Sequence, residues 1–272
     1  MSADDTSPND VYRRSRAQFG RTAAAYVTSS GHAKGAELAE MVAYAERVFG
    51  SLEGHPALDV ATGGGHTALA FARAGATVTA TDLTPEMLAA AAAFVGETFS
   101  REAGANVVFE AAPAEALPFG NEAFDLVTCR IAAHHFADPE RFVGEAARVL
   151  RPGGLLLLVD NVAPDDPELD RLMNATEQRR DSSHLRAYRV GEWTAMVTAA
   201  GLEPDLHSRW WTVKPYQEWM DRAGASEDVS RALEKTVLLM TPAQKAYFKV
   251  AETDGRLESL AHEAVLLAGR KA

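Results

Sequence analysis

The sequence predicts an α/β fold in which helices cover both faces of a mostly parallel sheet. Strand-like and helix-like segments alternate along the chain from residue 57 onward. Several of the strand-like segments are apolar throughout, as strands buried on both faces are. A glycine-rich stretch, ATGGGH, joins the first of these strands to the first helix after it. The 272 residues suffice for one large domain that carries an added segment.

The segment before the sheet is predicted to be helical. Residues 1–30 are assigned to an N-terminal arm and a helix that leads into the domain. Further on, the stretch AKGAELAEMVAYAERVF places Leu38, Met41 and Ala45 on one face at helical spacing. This spacing predicts a second helix directly before the first strand.

Five strands and three intervening helices are predicted before residue 162. The strands are short and rich in β-branched or other apolar residues. Thr84 and Pro85 suit the cap and the first turn of one helix, and Pro152 with two glycines stops another. The strands are predicted at residues 57–61, 77–82, 106–112, 124–130 and 155–161.

The C-terminal part of the chain alternates less regularly. Helices are predicted over residues 166–180 and 190–200, and strands over 205–213 and 259–271. Because the last strand ends at the terminus, it is free to pair antiparallel beside its neighbour. The helical stretch 214–254 is then a small cap inserted between the last two strands. The main domain consists of residues 31–213 and 255–272.

Composition and charge disfavour several classes of partner. The net charge of −11 argues against a nucleic-acid backbone, because such a surface needs clustered Lys and Arg. The single cysteine, Cys129, rules out an intramolecular disulfide and fits a reducing compartment. No apolar run approaches the roughly 18 residues that a membrane span needs. We therefore expect a cytoplasmic protein with no membrane span.

The glycine-rich turn and a later aspartate are typical of a nucleotide site. Gly63, Gly65 and Ala68 fit the pattern G-x-G-x-x-G/A between a strand and a helix. Asp82 follows about 20 residues later, where a carboxylate can accept hydrogen bonds from both ribose hydroxyls. The alternative interpretation of Asp82 is a helix cap or turn residue.

Asp59 helps to choose between nucleotides. In a dinucleotide site the N–H groups of the turn face a pyrophosphate, which an aspartate would repel. A ligand that lacks a phosphate and carries a cationic amine would instead be attracted by the aspartate. S-adenosylmethionine has such an amine together with a ribose and an adenine, so it is favoured over NAD. The alternative is that Asp59 is a buried carboxylate that anchors the glycine turn; one residue can do both.

Four ordered stretches resemble the successive motifs of class I S-adenosylmethionine-dependent methyltransferases. They cover about residues 30 to 160 and read LDVATGGGHTALAFA, VTATDLTPEML, EAAPAEALPFGNEAFDLVTCRIAAHHFADP and EAARVLRPGGLLLLVD. Within that class, the sequence is most similar to the group that contains the ubiquinone and menaquinone C-methyltransferases and their small-molecule relatives. The resemblance implies a Rossmann-like, seven-stranded sheet of order 3-2-1-4-5-7-6 with strand 7 antiparallel.

The resemblance implies that the first strand and its turn hold the methionine end of S-adenosylmethionine. Asp59 and the backbone at Ala61, Gly63 and Gly65 would make these contacts. Ala61 departs from the family, which often has glycine there. Because alanine is also small, we expect binding to tolerate this difference.

The other implied contacts follow the second, third and fourth strands. The ribose contact is assigned to one carboxylate, the adenine contacts to two residues beside it and two in the loop after strand three, and the remaining methionine contacts to two backbone segments after strand four. In that order, these residues are Asp82; Leu83 and Met87; Ala114 and Glu115; Arg130 and Ile131.

His134 and His135 are the candidates for catalysis, directly after the fourth strand. Methyl transfer mainly requires alignment and exclusion of water, and a base is needed only where the nucleophile must lose a proton. Histidine titrates near neutral pH, and the active site of this fold lies at the carboxyl ends of the strands. We expect at most one of the pair to face the acceptor. The alternative is that both shape the loop or touch the cofactor.

No metal site is predicted. Asp160 and Asn161, at the end of the fifth strand, resemble a feature of metal-dependent catechol methyltransferases. No cluster of further ligands accompanies them, and octahedral oxygen sites need several. Capping of the strand end is the preferred interpretation.

The sequence therefore predicts a methyltransferase that moves a methyl group from S-adenosylmethionine to oxygen, carbon or nitrogen of a small-molecule acceptor. The alternatives are an S-adenosylmethionine-binding protein with a non-methylating or regulatory role, and an NAD-dependent oxidoreductase. The apolar cap stretch ALEKTVLLM is a candidate contact between two chains of a homodimer. Aromatic and polar-tipped side chains, common also in cores, are candidates for the wall of an acceptor pocket: His184, Arg186, Tyr188, Trp210, Trp211, Tyr216 and Trp219.

Overall fold

A computed structural model describes residues 7–28, 35–99 and 107–272. The strands are β1 (Pro56–Val60), β2 (Thr77–Asp82), β3 (Val107–Ala111), β4 (Phe124–Arg130), β5 (Leu150–Asn161), β6 (Leu202–Pro215), β7 (Ala251–Thr253) and β8 (Arg256–Lys271). The helices are α1 (Pro8–Thr28), α2 (Ala36–Phe49), α3 (His66–Arg73), α4 (Pro85–Phe99), α5 (Pro139–Val149), α6 (Pro167–Arg180), α7 (Val190–Ala199), α8 (Tyr216–Ala223), α9 (Glu227–Leu238) and α10 (Pro242–Tyr247). A short 3₁₀ helix spans Ala133–His135.

The described strands form one sheet of order β3-β2-β1-β4-β5-β8-β6. The first five strands are parallel, and β8 runs antiparallel between β5 and β6. With the predicted last strand counted as β8, this is the expected order, and the α/β fold class is confirmed. Because β1, β2 and β4 are parallel, their carboxyl ends meet at one edge of the sheet.

The seven predicted strands form the path of the sheet, and one further short strand lies off this path. The additional strand, β7, pairs with the start of β8 inside the stretch predicted to be helical. Asp254 and Gly255 connect the two strands and both have positive φ, 52° and 75°. Asp-Gly in this conformation is typical of a tight hairpin turn.

Strand β5 begins at Leu150, earlier than the predicted residue 155. Its pairing with β4 shifts register, from Phe124 opposite Leu150 to Leu126 opposite Leu155. Residues 151–154 therefore lie opposite the single residue 125 in an irregularity of the strand pair, which accommodates Pro152 and the two glycines predicted to stop the preceding helix.

The apolar run of β5 supplies both faces of the sheet. Leu156 and Leu158 lie in one buried cluster with residues of α5 and α7, and Leu155 and Leu157 lie in another with residues of α2 and α3. Successive side chains of a strand point to opposite faces, so an unbroken run of leucines is buried on both.

Helices α8, α9 and α10 follow β6 and precede β8, within the predicted cap segment. They share a third apolar cluster with Met173 of α6, so the group that packs together extends beyond residues 214–254. On α9, Leu233 and Val237 are buried, whereas Leu239 just after it is 74% exposed. The division into domain and cap, and a homodimer through this stretch, stay predictions.

Helix α1 lies across the carboxyl end of the sheet. The Tyr12 hydroxyl donates to Oε2 of Glu115 over 3.1 Å, and Arg16 Nε donates to the Leu83 carbonyl over 3.2 Å. In the middle of the helix, Gln18 Nε2 donates to the Ala223 carbonyl of α8 over 2.8 Å. The helix therefore links the strand ends to the C-terminal helices. Each helix in the described ranges is too short or too polar to span a lipid bilayer.

Candidate active site

A pocket opens at the carboxyl ends of β1, β2 and β4, and we call it the strand-end pocket. Nine of the residues implied for cofactor binding line it: Ala61, Gly63, Asp82, Leu83, Met87, Ala114, Glu115, Arg130 and Ile131. Helix α1 closes one side with Tyr12, Ser15 and Phe19, which sequence reasoning did not single out. The sequence feature that could have indicated these three residues is the position of a helix with aromatic side chains directly before the domain.

Two non-glycine residues with strained backbone follow the strand ends in this pocket. Ala61 after β1 and Ile131 after β4 both have φ of 53°. A β-branched residue rarely adopts this conformation, and such strain is concentrated at functional sites. The left-handed conformation at residue 61 also gives a physical reason why glycine is common there in the family.

Replacing Ala61 with glycine is expected to raise the free energy of unfolding by up to about 1 kcal/mol, because glycine adopts positive φ without the Cβ penalty. Urea denaturation measures this change. The matched control is Ala57→Gly on the same strand, where the backbone is regular and glycine should destabilise. A61G that is no more stable than the wild type would contradict a strained turn.

Asp82 ends β2 and is buried at the edge of the pocket. Its Oδ2 accepts from the Gly63 N–H over 3.1 Å, and its Oδ1 accepts from the Thr84 N–H over 2.9 Å. Burial raises the pKa of this carboxyl, and the N–H groups of Thr84 and Gly63 oppose the rise. The residue thus holds the glycine turn and also lines the space beside it.

Asp59 lies behind the glycine turn rather than on the pocket wall. Its carboxylate accepts from the hydroxyls of Thr62 and Thr128, over 2.7 Å and 2.8 Å. Burial raises its pKa to about 6 against the effect of these two hydrogen bonds. The contacts are those of the alternative interpretation, an anchor for the turn, and its assigned contact with the methionine amine stays a prediction. Gly65 also lies off the wall, against Ala91 and Val95 of α4.

Glu115 is held in place by three donors. Besides the Tyr12 hydroxyl, the backbone N–H groups of Ala137 and Asp138 donate to its Oε1, over 2.9 Å and 3.4 Å. Burial and this carboxylate together raise the pKa of Tyr12 to about 12. The carboxylate therefore joins α1 to the loop after the 3₁₀ helix.

Arg130 contributes a buried side chain as well as its backbone. Its Nη1 lies 2.9 Å from Oε1 of Glu37, and its Nε donates to the Thr67 hydroxyl over 3.0 Å. Burial lowers the pKa of the guanidinium, an effect that Glu37 opposes. The pair fixes α2 and α3 relative to the end of β4.

A second pocket, which we call the polar pocket, adjoins the first. Ile131 and His135 line both. The other walls of the polar pocket come from the 3₁₀ helix, β5, α6, the loop after α6, β6 and α8: His134, Asn161, Met173, Glu177, Arg180, Asp181, His184, Ala187, Lys214, Trp219 and Arg222. The two pockets are thus separated by a wall to which His135 contributes.

His134 is bound to Asp160 at the end of β5. Its Nδ1 lies 2.6 Å from Oδ1 of Asp160, and its backbone N–H donates to Oδ2 over 3.0 Å. Burial would lower the pKa of the imidazole, but the Asp160 carboxylate raises it overall. Asp160 also accepts from the Asn161 N–H, so it caps the strand end as the sequence suggested.

His135 is oriented by a chain of hydrogen bonds. Ser183 Oγ donates its proton to Oδ1 of Asp181 over 2.5 Å and lies 3.3 Å from Nδ1 of His135. Because the serine proton is already donated, Nδ1 of His135 carries the hydrogen and Nε2 keeps its lone pair. Burial and the neighbouring His134 lower the pKa of His135 to about 4, so the ring is neutral at pH 7.

The acceptor-wall candidates divide between three places. His184 and Trp219 line the polar pocket, and Trp210 and Trp211 line an outer groove beside it. Arg186 instead binds Glu192 and stacks on Tyr188, and the Tyr216 hydroxyl donates to the Ser230 carbonyl in the C-terminal helical group. The described residues contain no group of three or more His, Cys, Asp or Glu arranged to hold a metal ion.

The comparisons with known proteins agree with this geometry. Residues 58–158 match the sequence model of a family described as a methyltransferase domain. Over 211 residues the chain is 39% identical to the uncharacterized methyltransferase YcgJ of Bacillus subtilis (strain 168), which covers 77% of this chain and 80% of that protein. The chain belongs to the S-adenosylmethionine-dependent methyltransferase family. The predicted family and enzyme class are confirmed.

Solved structures of related methyltransferases extend the likeness to the fold. The crystal structure of YcgJ superposes with a TM-score of 0.81 at 35% identity, covering 86% of this chain and 97% of that one. A methyltransferase structure from Bacillus halodurans C-125 superposes with a TM-score of 0.79 at 37% identity, covering 85% and 99%. The demethylmenaquinone methyltransferase of Chlorobaculum parvum is 36% identical over 116 residues, which is 42% of this methyltransferase and 44% of that protein.

Proposed function

We propose that this methyltransferase binds S-adenosylmethionine in the strand-end pocket and transfers its methyl group to a small-molecule acceptor in the polar pocket. The observation that carries the proposal is that the two pockets share a wall, and that His135 belongs to it. A methyl group has to pass between two ligands held in line, which two adjoining pockets allow.

The residues of the strand-end pocket fit the cofactor. Asp82 offers carboxylate oxygens to ribose hydroxyls, and Ala61 and Gly63 leave the backbone of the turn accessible. The carboxylates of Asp82 and Glu115 favour a cationic ligand over a pyrophosphate. The guanidinium of Arg130, which also lines this pocket, is already paired with Glu37 and so is not left to neutralise a pyrophosphate.

When bound, the cofactor supplies a methyl carbon activated by the sulfonium. The acceptor's nucleophile would form a bond to this carbon as the carbon–sulfur bond breaks, and the electron pair of that bond would stay on sulfur. His135 takes the proton of a hydroxyl or similar nucleophile on Nε2, and its Nδ1–H stays bound to Ser183. Ser183 and Asp181 are positioning residues that fix the tautomer.

Native mass spectrometry and a labelling assay test this function together. We expect the purified protein to bind S-adenosylhomocysteine, to be stabilised by it and not by NAD, and to transfer labelled methyl from S-adenosylmethionine into a fractionated metabolite extract. Stabilisation by NAD alone would replace the proposal with an oxidoreductase. Tight cofactor binding with no label transfer to any fraction would favour the non-methylating alternative.

A further inference from the structure

We infer that Lys214 and Arg222 form a subsite for an oxyanion, a carboxylate or a phosphate, carried by the methyl acceptor. The inference rests on the proposed function, because it assigns the polar pocket to the acceptor. Lys214 lies on β6 and Arg222 on α8, and both side chains line the polar pocket and the outer groove beside it. The subsite thus lies where the pocket opens into the groove.

The wall of the polar pocket has an excess of positive charge. The wall carries three basic side chains, Arg180, Lys214 and Arg222, and two carboxylates, Glu177 and Asp181. The chain as a whole has a net charge of −11, so an excess of positive charge in one pocket runs against its average. Electrostatic complementarity to an anionic ligand is the direct explanation of such a concentration.

The two carboxylates of this wall are already bound by other groups. Glu177 lies 3.0 Å from Nε of Arg180 and 2.9 Å from Nδ1 of His262, and Asp181 accepts from Ser183. Arg180 also donates to the Trp219 carbonyl and lies over its ring. Arg180 offsets one of the two carboxylates, so the five charged side chains of the wall leave a net charge of +1, to which Lys214 and Arg222 contribute.

Three kinds of hydrogen-bond donor at this pocket lack a partner among the described residues. Within the described residues, neither Lys214 nor Arg222 makes a side-chain hydrogen bond or an ion pair within 4.0 Å. Glu218, one turn before Arg222 on α8, lies in the outer groove and does not pair with it. Trp219 lines the polar pocket, and its buried Nε1–H has no partner among the described residues. An ammonium, a guanidinium and an indole N–H are together suited to the several acceptor lone pairs of an oxyanion.

The half-buried position of the two cations strengthens the inference. Burial, together with Arg180 and Arg222, lowers the pKa of Lys214 to about 8, against the opposing effect of Glu177. Holding an unpaired ammonium in such surroundings costs free energy, which an anionic ligand would recover. Lys214 and Arg222 thus provide a preformed site for the acceptor's negative group.

Calorimetry on the protein saturated with S-adenosylhomocysteine tests the subsite with two matched pairs of probes. These are 4-hydroxybenzoate against 4-hydroxybenzamide, and phenyl phosphate against phenol. We expect at least one anion to bind about tenfold or more tightly than its neutral counterpart, as charge-assisted hydrogen bonds provide. The pair that shows the larger ratio identifies carboxylate or phosphate as the group recognised.

The variant K214Q/R222Q is expected to lose this preference for the anion. The matched control R231Q/K235Q removes one Arg and one Lys from α9, where both side chains are exposed, and should keep it. Equal affinity for anion and neutral probe in the wild type, or the same preference in K214Q/R222Q, would overturn the inference. The affinity for S-adenosylhomocysteine is measured separately. If the wild type does not bind S-adenosylhomocysteine, the proposed function is overturned. The preference for the anion can still be measured in the absence of that ligand.

Discussion

Replacing Asp82 with alanine is expected to weaken S-adenosylhomocysteine binding by about 100-fold or more, since each hydrogen bond to a charged group contributes about 1.5–3 kcal/mol. The carboxylate is the group in the strand-end pocket placed to accept from ribose hydroxyls, and it also holds the N–H groups of Gly63 and Thr84. Alanine would remove the ribose contact and release the glycine turn at the same time. Isothermal titration calorimetry measures the loss of affinity directly.

Two further variants separate ligand recognition from turn stability. Asp82→Asn keeps the size of the side chain and one acceptor oxygen, so we expect an intermediate loss of affinity. Glu110→Ala removes an exposed carboxylate from neighbouring β3, opposite Thr81, and should leave affinity unchanged. If D82A binds S-adenosylhomocysteine as tightly as the wild type while remaining folded, the assignment of the ribose to Asp82 is wrong.

Nine of the residues assigned to the cofactor from the sequence line the strand-end pocket, because they follow strand ends in regular order. Gly63, Asp82 and Arg130 are each within a few residues of a strand terminus, and parallel strands bring such positions together. Asp59 was harder to interpret because its direction depends on Thr128, which belongs to a different strand. A local sequence pattern shows that a carboxylate is present, but not which hydroxyl group donates a hydrogen bond to it.

The polar pocket could not be predicted in the same way. Lys214 and Arg222 lie on separate elements, and neither is part of a motif. Asp181 and Ser183 follow α6 in an irregular loop, which the carbonyl of His134 anchors through the N–H groups of residues 185 and 186. These contacts join parts of the chain far apart in sequence, so spacing and periodicity carry no signal for them.

Replacing His135 with glutamine is expected to lower kcat by about 10²–10⁴-fold for an acceptor whose nucleophile must lose a proton. This is the usual contribution of a general base. Glutamine fills a similar volume, so the wall between the two pockets is kept and affinity for S-adenosylhomocysteine should change far less. The pKa of His135 is lowered to about 4 by burial and by His134, so the base form persists well below the ordinary histidine range. We therefore expect kcat to stay level from pH 7 downward and to fall only as the pH approaches that value.

Asp181→Asn tests whether the hydrogen-bond chain to His135 has the proposed role. The Asp181 carboxylate raises the pKa of His135, so its neutral replacement should lower that pKa further and move the acid limb of the pH profile to lower pH. NMR titration of the His135 ring follows this shift independently of turnover. His207→Gln, on β6 and outside both pockets, is the control that should leave kcat unchanged. Unaltered kcat in H135Q would show that the acceptor loses no proton to this residue.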